Sequence, residues 1–490
     1  MLEKNQLNRN VISATKWSFI TQIIGKLVVP VTNMILARIL VPEIFGVIAT
    51  INMVVSFADM FTDAGFQKYI VQHEFSSEDE KNRYITVAFW TNLFVSIMLW
   101  ALISIFSKRL SALVGSPGLG NVLIIASLSL PLTSFSSIQM SIFKRDLDYK
   151  TLFFMRIISI LIPFVITIPL ALLSFSYWSL VIATLFANLV NAILLTVKSK
   201  WKPNLYYSFD VLKQMLSFSL WSLAEAVAIW AISWSGTFIV GLNLNQYYIG
   251  LYKTSISTVN GITGIVTDST TSVLFSTLSR LQNNKVKFEA SFLKFQRLAA
   301  YLLFPMSIGI FIYRDLVTSI LLGSKWAEAS LFVGIWGLSS SISIVFGQYC
   351  GEVYRALGKP KISLLAQILH LVVLVPVLII TSKESFTVLI YSRSLLRVQY
   401  IIVNVLLMNY FIKIGIIKMI KNIIPSIVGS VIMGCIAIIL SNIEKGIVWD
   451  FISIILCIFI YAITILIFPS VREEAEYLIN SIKKKPKIEC

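Results

Sequence analysis

The chain has 490 residues, of which 57% are hydrophobic and only 13% charged, with a mean hydropathy of +0.82. Soluble proteins carry about 25% Asp, Glu, Lys and Arg, so this composition excludes a water-soluble enzyme, a disordered chain and a nucleic-acid-binding domain. The net charge of +17 fits a membrane protein whose cytoplasmic loops are rich in Lys and Arg.

The first seventeen residues show no short apolar core followed by a small-residue cleavage site, so no removable leader is expected. From there apolar stretches alternate with short polar breaks. A span needs about 20 mostly apolar residues, and fourteen are predicted: 13–40, 44–66, 84–106, 119–143, 151–174, 177–197, 211–242, 248–278, 294–321, 327–354, 361–381, 386–410, 418–440 and 449–468. The expected fold class is all-α and polytopic. No loop is long enough for a soluble domain, and the tail 470–490 reads as a short basic amphipathic helix on the inner membrane surface.

Charge in the breaks tests this count. With the N-terminus inside, the inner segments hold 29 Lys and Arg and the outer loops 5. A missed span would scramble that alternation, so both termini are expected in the cytoplasm. The junction 38–49, RILVPEIFGVIA, matches 240–253, VGLNLNQYYIGLYK, with Gly46 on Gly250 at an offset of 204. FKRDLDYK (143–150) matches VYRALGKPK (353–361) at an offset of 210, with Arg145 on Arg355. The expected organisation is therefore two six-helix lobes, 1–200 and 201–412, with a two-helix appendix at 413–469 and a tail at 470–490. Parallel repeats of this kind are a transporter design.

Polar residues inside spans are costly and default to functional candidates. In span 1, Gln22, Lys26 and Asn33 share a face. In span 2, Asn52, Ser56, Asp59 and Asp63 form one stripe, and in span 8 Lys253, Ser257, Asn260, Gly264, Thr267 and Thr271 form another, with Asp268 beside it. Span 7 carries Glu225, with Trp230 and Trp234 above it, and span 12 carries Arg393 and Arg397 one turn apart. The faces of spans 1, 2, 7 and 8, which are equivalent helices of the two repeats, point to one hydrated cavity. The competing reading is that Ser, Thr and Asn bond helices to each other. For the tryptophans two readings stand side by side, stacking on sugar rings and packing within the protein. For Asp59 and Asp63 they are ion coupling, by Na⁺ or H⁺, and a solvated cytoplasmic mouth. His370, alone on span 11, reads as a packed, hydrogen-bonded side chain.

Catalytic motifs are absent: there is no HExxH, P-loop or GxSxG, and with two histidines no metal-binding cluster and no cofactor are expected. The segments ARILVPEIFGVIA (37–49), FTDAGFQKYIVQ (61–72), SIFKRDLDYK (141–150), NQYYIGLYK (245–253), FPMSIGIFIYRDLVTSILLGSKW (304–326) and VYRALGKPK (353–361) resemble the polysaccharide transporter family. These are the lipopolysaccharide, capsule and exopolysaccharide flippases of the multidrug/oligosaccharidyl-lipid/polysaccharide superfamily. The resemblance thins after about residue 410.

It implies two lobes arranged as a V in the bacterial cytoplasmic membrane, flipping undecaprenyl-pyrophosphate-linked repeat units outward by alternating access. The implied partners are that lipid-linked oligosaccharide, the bilayer, and the polymerase and chain-length proteins of the same pathway, with the transporter itself a monomer. Lys26, Arg38 and Lys253 occupy places where relatives carry basic residues, which makes them, with Arg393 and Arg397, the candidates for the pyrophosphate. Span 2 has no basic residue, where some relatives have one. The cavity and sugar candidates are Gln22, Asn33, Asn52, Asn260, Trp230 and Trp234. The coupling candidates are Asp59, Asp63, Glu225 and Asp268. Two other functions compete. A drug or cation antiporter would favour acidic cavities and twelve spans. A polysaccharide polymerase or glycosyltransferase would need a sizeable outer catalytic loop.

Overall fold

The computed structural model describes residues 28–63, 66–469 and 471–474, together with 17, 20, 21, 24, 25 and 476. Lys26 and Gln22 lie outside these, as does most of the expected tail helix. Among the described residues there are helices and no strands.

The chain separates into two compact units. The first holds the described residues up to Thr254 with Leu322–Lys325 and Leu378–Glu384; the second holds the remainder from Ser255 on. In the first unit, α1 (Val28–Ile39) is followed by α2 (Pro42–Asp63), α3 (Phe66–Gln72), α4 (Glu78–Leu113), α5 (Gly120–Ser127), α6 (Ser129–Arg145), α7 (Tyr149–Leu172), α8 (Tyr177–Lys198) and α9 (Phe209–Asn243). The long α10 (Gln246–Leu281) begins there and continues into the second unit. The second unit adds α11 (Lys285–Ile312), α12 (Arg314–Leu321), α13 (Ser330–Ser343), α14 (Tyr349–Ala356), α15 (Pro360–Glu384), whose end belongs to the first unit, α16 (Phe386–Leu407), α17 (Ile416–Lys421), α18 (Ile424–Ile443) and α19 (Ile447–Leu466).

Several of the polar breaks in the sequence hold helix caps. Ser77 accepts the Glu80 backbone N–H and the Glu80 carboxylate accepts the Ser76 N–H at 2.6 Å, a reciprocal arrangement that starts α4. Asp148, Ser208, Asn284 and Ser385 cap α7, α9, α11 and α16, each side chain accepting a backbone N–H of the first turn.

Twelve helical segments among the described residues are long and apolar enough to cross a membrane, so the chain is a multi-pass membrane protein. Two of the fourteen expected spans are missing from that set, each for a reason. The first falls largely outside the described residues, which hold its last turns as α1. The eighth is α10, which at 36 residues is long enough but too polar, because it carries Lys253, Asp268, Arg280 and the row of Ser, Thr and Asn.

Each unit has its own apolar core. In the first, Phe66, Ile70, Ile85, Phe89, Ile138 and Met215 pack together, and Ile51, Ala58, Leu123, Leu130 and Val181 form a second cluster. In the second unit Phe292, Leu303, Tyr349, Val353, Tyr354 and Met408 lie at the centre, and α18 and α19 pack through Met433, Ala437 and Cys457 against Tyr313 and Leu316. Buried hydroxyls and amides bond between helices, as with Asn92 to Ser137 at 3.3 Å, Gln139 to Thr196 at 2.8 Å and Ser159 to Asn191 at 2.7 Å. That is the helix-bonding role of small polar residues in membranes. His370 bonds through Nδ1 to the side-chain Oε1 of Gln399 at 2.8 Å, as its isolation on an apolar helix predicts.

The two sequence-matched glycines meet each other. A Cβ on Gly46 would sit 1.9 Å from the Gln246 carbonyl oxygen, and one on Gly250 would sit 1.9 Å from the Pro42 oxygen. Pro42 and Gln246 are themselves related by the offset of 204, so the contact is reciprocal, like an isologous interface. Gln246 ties the junction further: its Nε2 donates to the Gly115 carbonyl at 2.9 Å and to the Ser116 hydroxyl, and its Oε1 accepts from Thr50 at 3.4 Å. Because the clash is with backbone, Gly46→Ala is expected to cost about 1–3 kcal/mol. Gly261→Ala, in α10 with nothing within 4 Å, is the control. Thermal unfolding in detergent should show a lowered midpoint for the first and none for the second; equal midpoints would contradict the close approach.

Candidate functional site

In the first unit the polar stripe of α2 is exposed at Asn52 and Asp59. Asp59 Oδ1 accepts the Thr62 hydroxyl at 3.2 Å and the Thr133 hydroxyl of α6 at 3.3 Å. Ser56, on the same stripe, accepts the Trp230 indole N–H of α9 at 3.1 Å. The Trp230 ring lies 4.8 Å from Phe57, inclined at 57°, and Phe57 lies 5.2 Å from Phe61.

One turn further along α9, Trp234 carries the Lys253 ammonium 3.6 Å from its ring centroid. This cation–π contact contributes about 0.5–2 kcal/mol. The contact holds the ammonium against the indole face. Arg38 and Asn33 are exposed on α1. Arg38 packs its side chain along Gly323, and Lys325 donates to the adjacent Ile39 carbonyl at 2.9 Å. Asp63 and Glu225 belong to α2 and α9, but their side chains are outside the described residues.

In the second unit Arg393 and Arg397 both face the Trp336 ring, with guanidinium carbons 5.3 Å and 3.6 Å from its centroid. Arg393 is buried at 8% exposure and Trp336 at 2%. Asn260 and Asp268 are exposed on α10, and Thr267 donates to Asp268 at 3.5 Å. Asp315 accepts from Ser330 and Arg314 stacks near Phe311, which gives that adjacent pair structural partners. Among the described residues no group of three His, Cys, Asp or Glu is placed to hold a metal ion.

The structure thus assembles two local constellations from the sequence candidates: Lys253 on Trp234 beside Trp230 and the α2 stripe, and Arg393 with Arg397 on Trp336. It separates the roles of the two α9 tryptophans, because the face of Trp234 that meets Lys253 is taken by an ammonium. Phe57 and Trp336 were not singled out by sequence. Phe57 adjoins Ser56 in the polar stripe, which is a weak signal. Trp336 lies in an apolar helix and gives none.

The sequence profile of a family described as "Polysaccharide biosynthesis protein" matches residues 35–331. The chain is 27% identical to the succinoglycan biosynthesis transport protein ExoT of Rhizobium meliloti over 64% of its length. That match spans 62% of the Rhizobium protein, less than two thirds of it. It is 22% identical to the lipopolysaccharide biosynthesis protein WzxC of Escherichia coli, over 83% of this chain and 82% of that one. Among solved structures, the lipid II flippase MurJ in an inward closed conformation superposes with a TM-score of 0.71 at 17% identity, covering 93% of this chain and 98% of that one. At that identity the likeness is one of fold.

Proposed function

This chain belongs to the polysaccharide biosynthesis protein family, and from that premise we propose that it is a flippase. Its substrates are oligosaccharide repeat units linked to undecaprenyl pyrophosphate, moved from the cytoplasmic to the outer leaflet for surface polysaccharide synthesis. It makes and breaks no covalent bond. The observation that carries this reading is Lys253, a cation held on Trp234 inside a helix of membrane-spanning length. A pyrophosphate is a dense anion that cannot cross about 30 Å of hydrocarbon bare. An ammonium kept inside the protein offers it a partner, while the polyprenyl tail stays in lipid.

In this reading Lys253 works with Lys26 and Arg38, and Arg393 and Arg397 form a further basic site. Asn33, Asn52, Asn260, Gln22 and Trp230 meet the sugars. The lobes are residues 1–200 and 201–412, rocking against each other around the substrate. Asp59, Asp63, Glu225 and Asp268 are the groups for coupling to Na⁺ or H⁺, and Asp59 is held in place by two threonine hydroxyls. The basic excess in alternate loops supports a location in the bacterial cytoplasmic membrane with both termini inside. The protein acts as a monomer alongside the polymerase and chain-length proteins of its pathway. An antiporter for cationic drugs fits less well, because a fixed lysine in the path repels a cation.

Deletion of the gene is expected to accumulate complete lipid-linked repeat units on the cytoplasmic leaflet, seen by chromatography of extracted lipids. An unchanged lipid-linked pool alongside normal surface polymer would contradict the proposal.

A further inference from the structure

Resting on the flippase reading, the geometry of α2 and α9 points to the class of sugar that follows the pyrophosphate. We propose that Phe57 and Trp230 form a platform for the sugar joined directly to the pyrophosphate, and that this position takes an uncharged pyranose and rejects a uronic acid.

The stripe Asn52, Ser56 and Asp59 cannot face acyl chains without a large cost, so this side of α2 borders water. Trp230 is pinned at the edge of that stripe by its 3.1 Å bond to Ser56. Beside it, Phe57 is 41% exposed, and the two rings, 4.8 Å apart and inclined at 57°, make an apolar step. Aromatic faces of this kind pack on the C–H faces of sugars, while neighbouring amides and carboxylates take the hydroxyls.

The spacing matches the chemistry. Trp230 lies one helical turn from Trp234, about 6 Å along the axis, and Trp234 carries Lys253. That is roughly one pyranose width, so a phosphate at Lys253 sets the first sugar against Trp230. With Lys253 matched to the phosphate, the two helices that carry the platform offer the sugar itself acidic groups only. Residues 42–63 contain no Lys or Arg, and the only basic residue in α9 is Lys213, seventeen residues before Trp230. The described titratable group on the stripe is Asp59, and the sequence adds Asp63 and Glu225 on the same two helices. A carboxylate on the first sugar would meet the like charge of Asp59 at short range, which disfavours it.

The test uses the full chain in proteoliposomes with two probes, undecaprenyl pyrophosphate carrying glucose and the same lipid carrying glucuronic acid. Wild type is expected to flip the glucose lipid at least about tenfold faster. Phe57→Leu, which keeps apolar bulk without the ring, should slow glucose flipping about tenfold through a raised KM, and Phe57→Tyr should restore it. Equal rates for the two lipids in wild type, or an unchanged KM in Phe57→Leu, would overturn the platform while leaving the flippase reading intact. Flipping of neither lipid would overturn both.

Discussion

Lys253→Ala is expected to reduce flipping by at least about 30-fold while the protein is still made at its normal level. Lys253 sits on an indole face, and losing its proposed charge pair with the pyrophosphate would cost about 2–5 kcal/mol, with each 1.4 kcal/mol a factor of ten. Lys253→Arg should retain part of the activity, since it keeps the charge but changes its geometry. Trp234→Ala should fall between wild type and Lys253→Ala. It removes about 0.5–2 kcal/mol of cation–π support and leaves the ammonium in place but less well held. The measurement is flipping rate per molecule in proteoliposomes. Full activity in Lys253→Ala would move the anion site to Lys26, Arg38, Arg393 or Arg397.

The second large effect concerns stability. Trp336 is 2% exposed and supports both Arg393 and Arg397. Trp336→Ala opens a cavity worth about 3–5 kcal/mol and removes the ring that both guanidiniums face. A markedly lower thermal midpoint in detergent is expected, with Trp336→Phe much closer to wild type because it keeps an aromatic face. A Trp336→Ala variant that melts with wild type would contradict the packing of this arginine pair.

What could be read from sequence follows from what lipid enforces. Hydropathy located twelve spans that the described residues bear out, because every backbone polar group must be satisfied inside its segment, and period-3.6 spacing put Asn52, Ser56 and Asp59 on one face. The match of Gly46 to Gly250 was visible as a repeat, but their direct contact was not, because a sequence offset says nothing about distance. The same limit applied to the tryptophans. Trp230 and Trp234 share a face of α9, yet one donates to Ser56 and the other seats Lys253, and those partners come from different helices. Trp336 was invisible for a related reason: an indole in an apolar helix looks like packing until the arginines of another helix are seen against it. Span 8 shows the reverse case. Its polarity kept α10 out of the set of plainly apolar spans, and that polarity is what makes it a candidate wall of a hydrated path.

The proposed function is translocation of a lipid-linked oligosaccharide. The direct measurement places a labelled undecaprenyl-pyrophosphate-linked oligosaccharide in both leaflets of sealed proteoliposomes and adds a glycosidase that cannot cross the bilayer. With the protein present, the inner-leaflet share should become accessible and be cleaved. Cleavage limited to the outer-leaflet share, as in liposomes without protein, would contradict the proposed function.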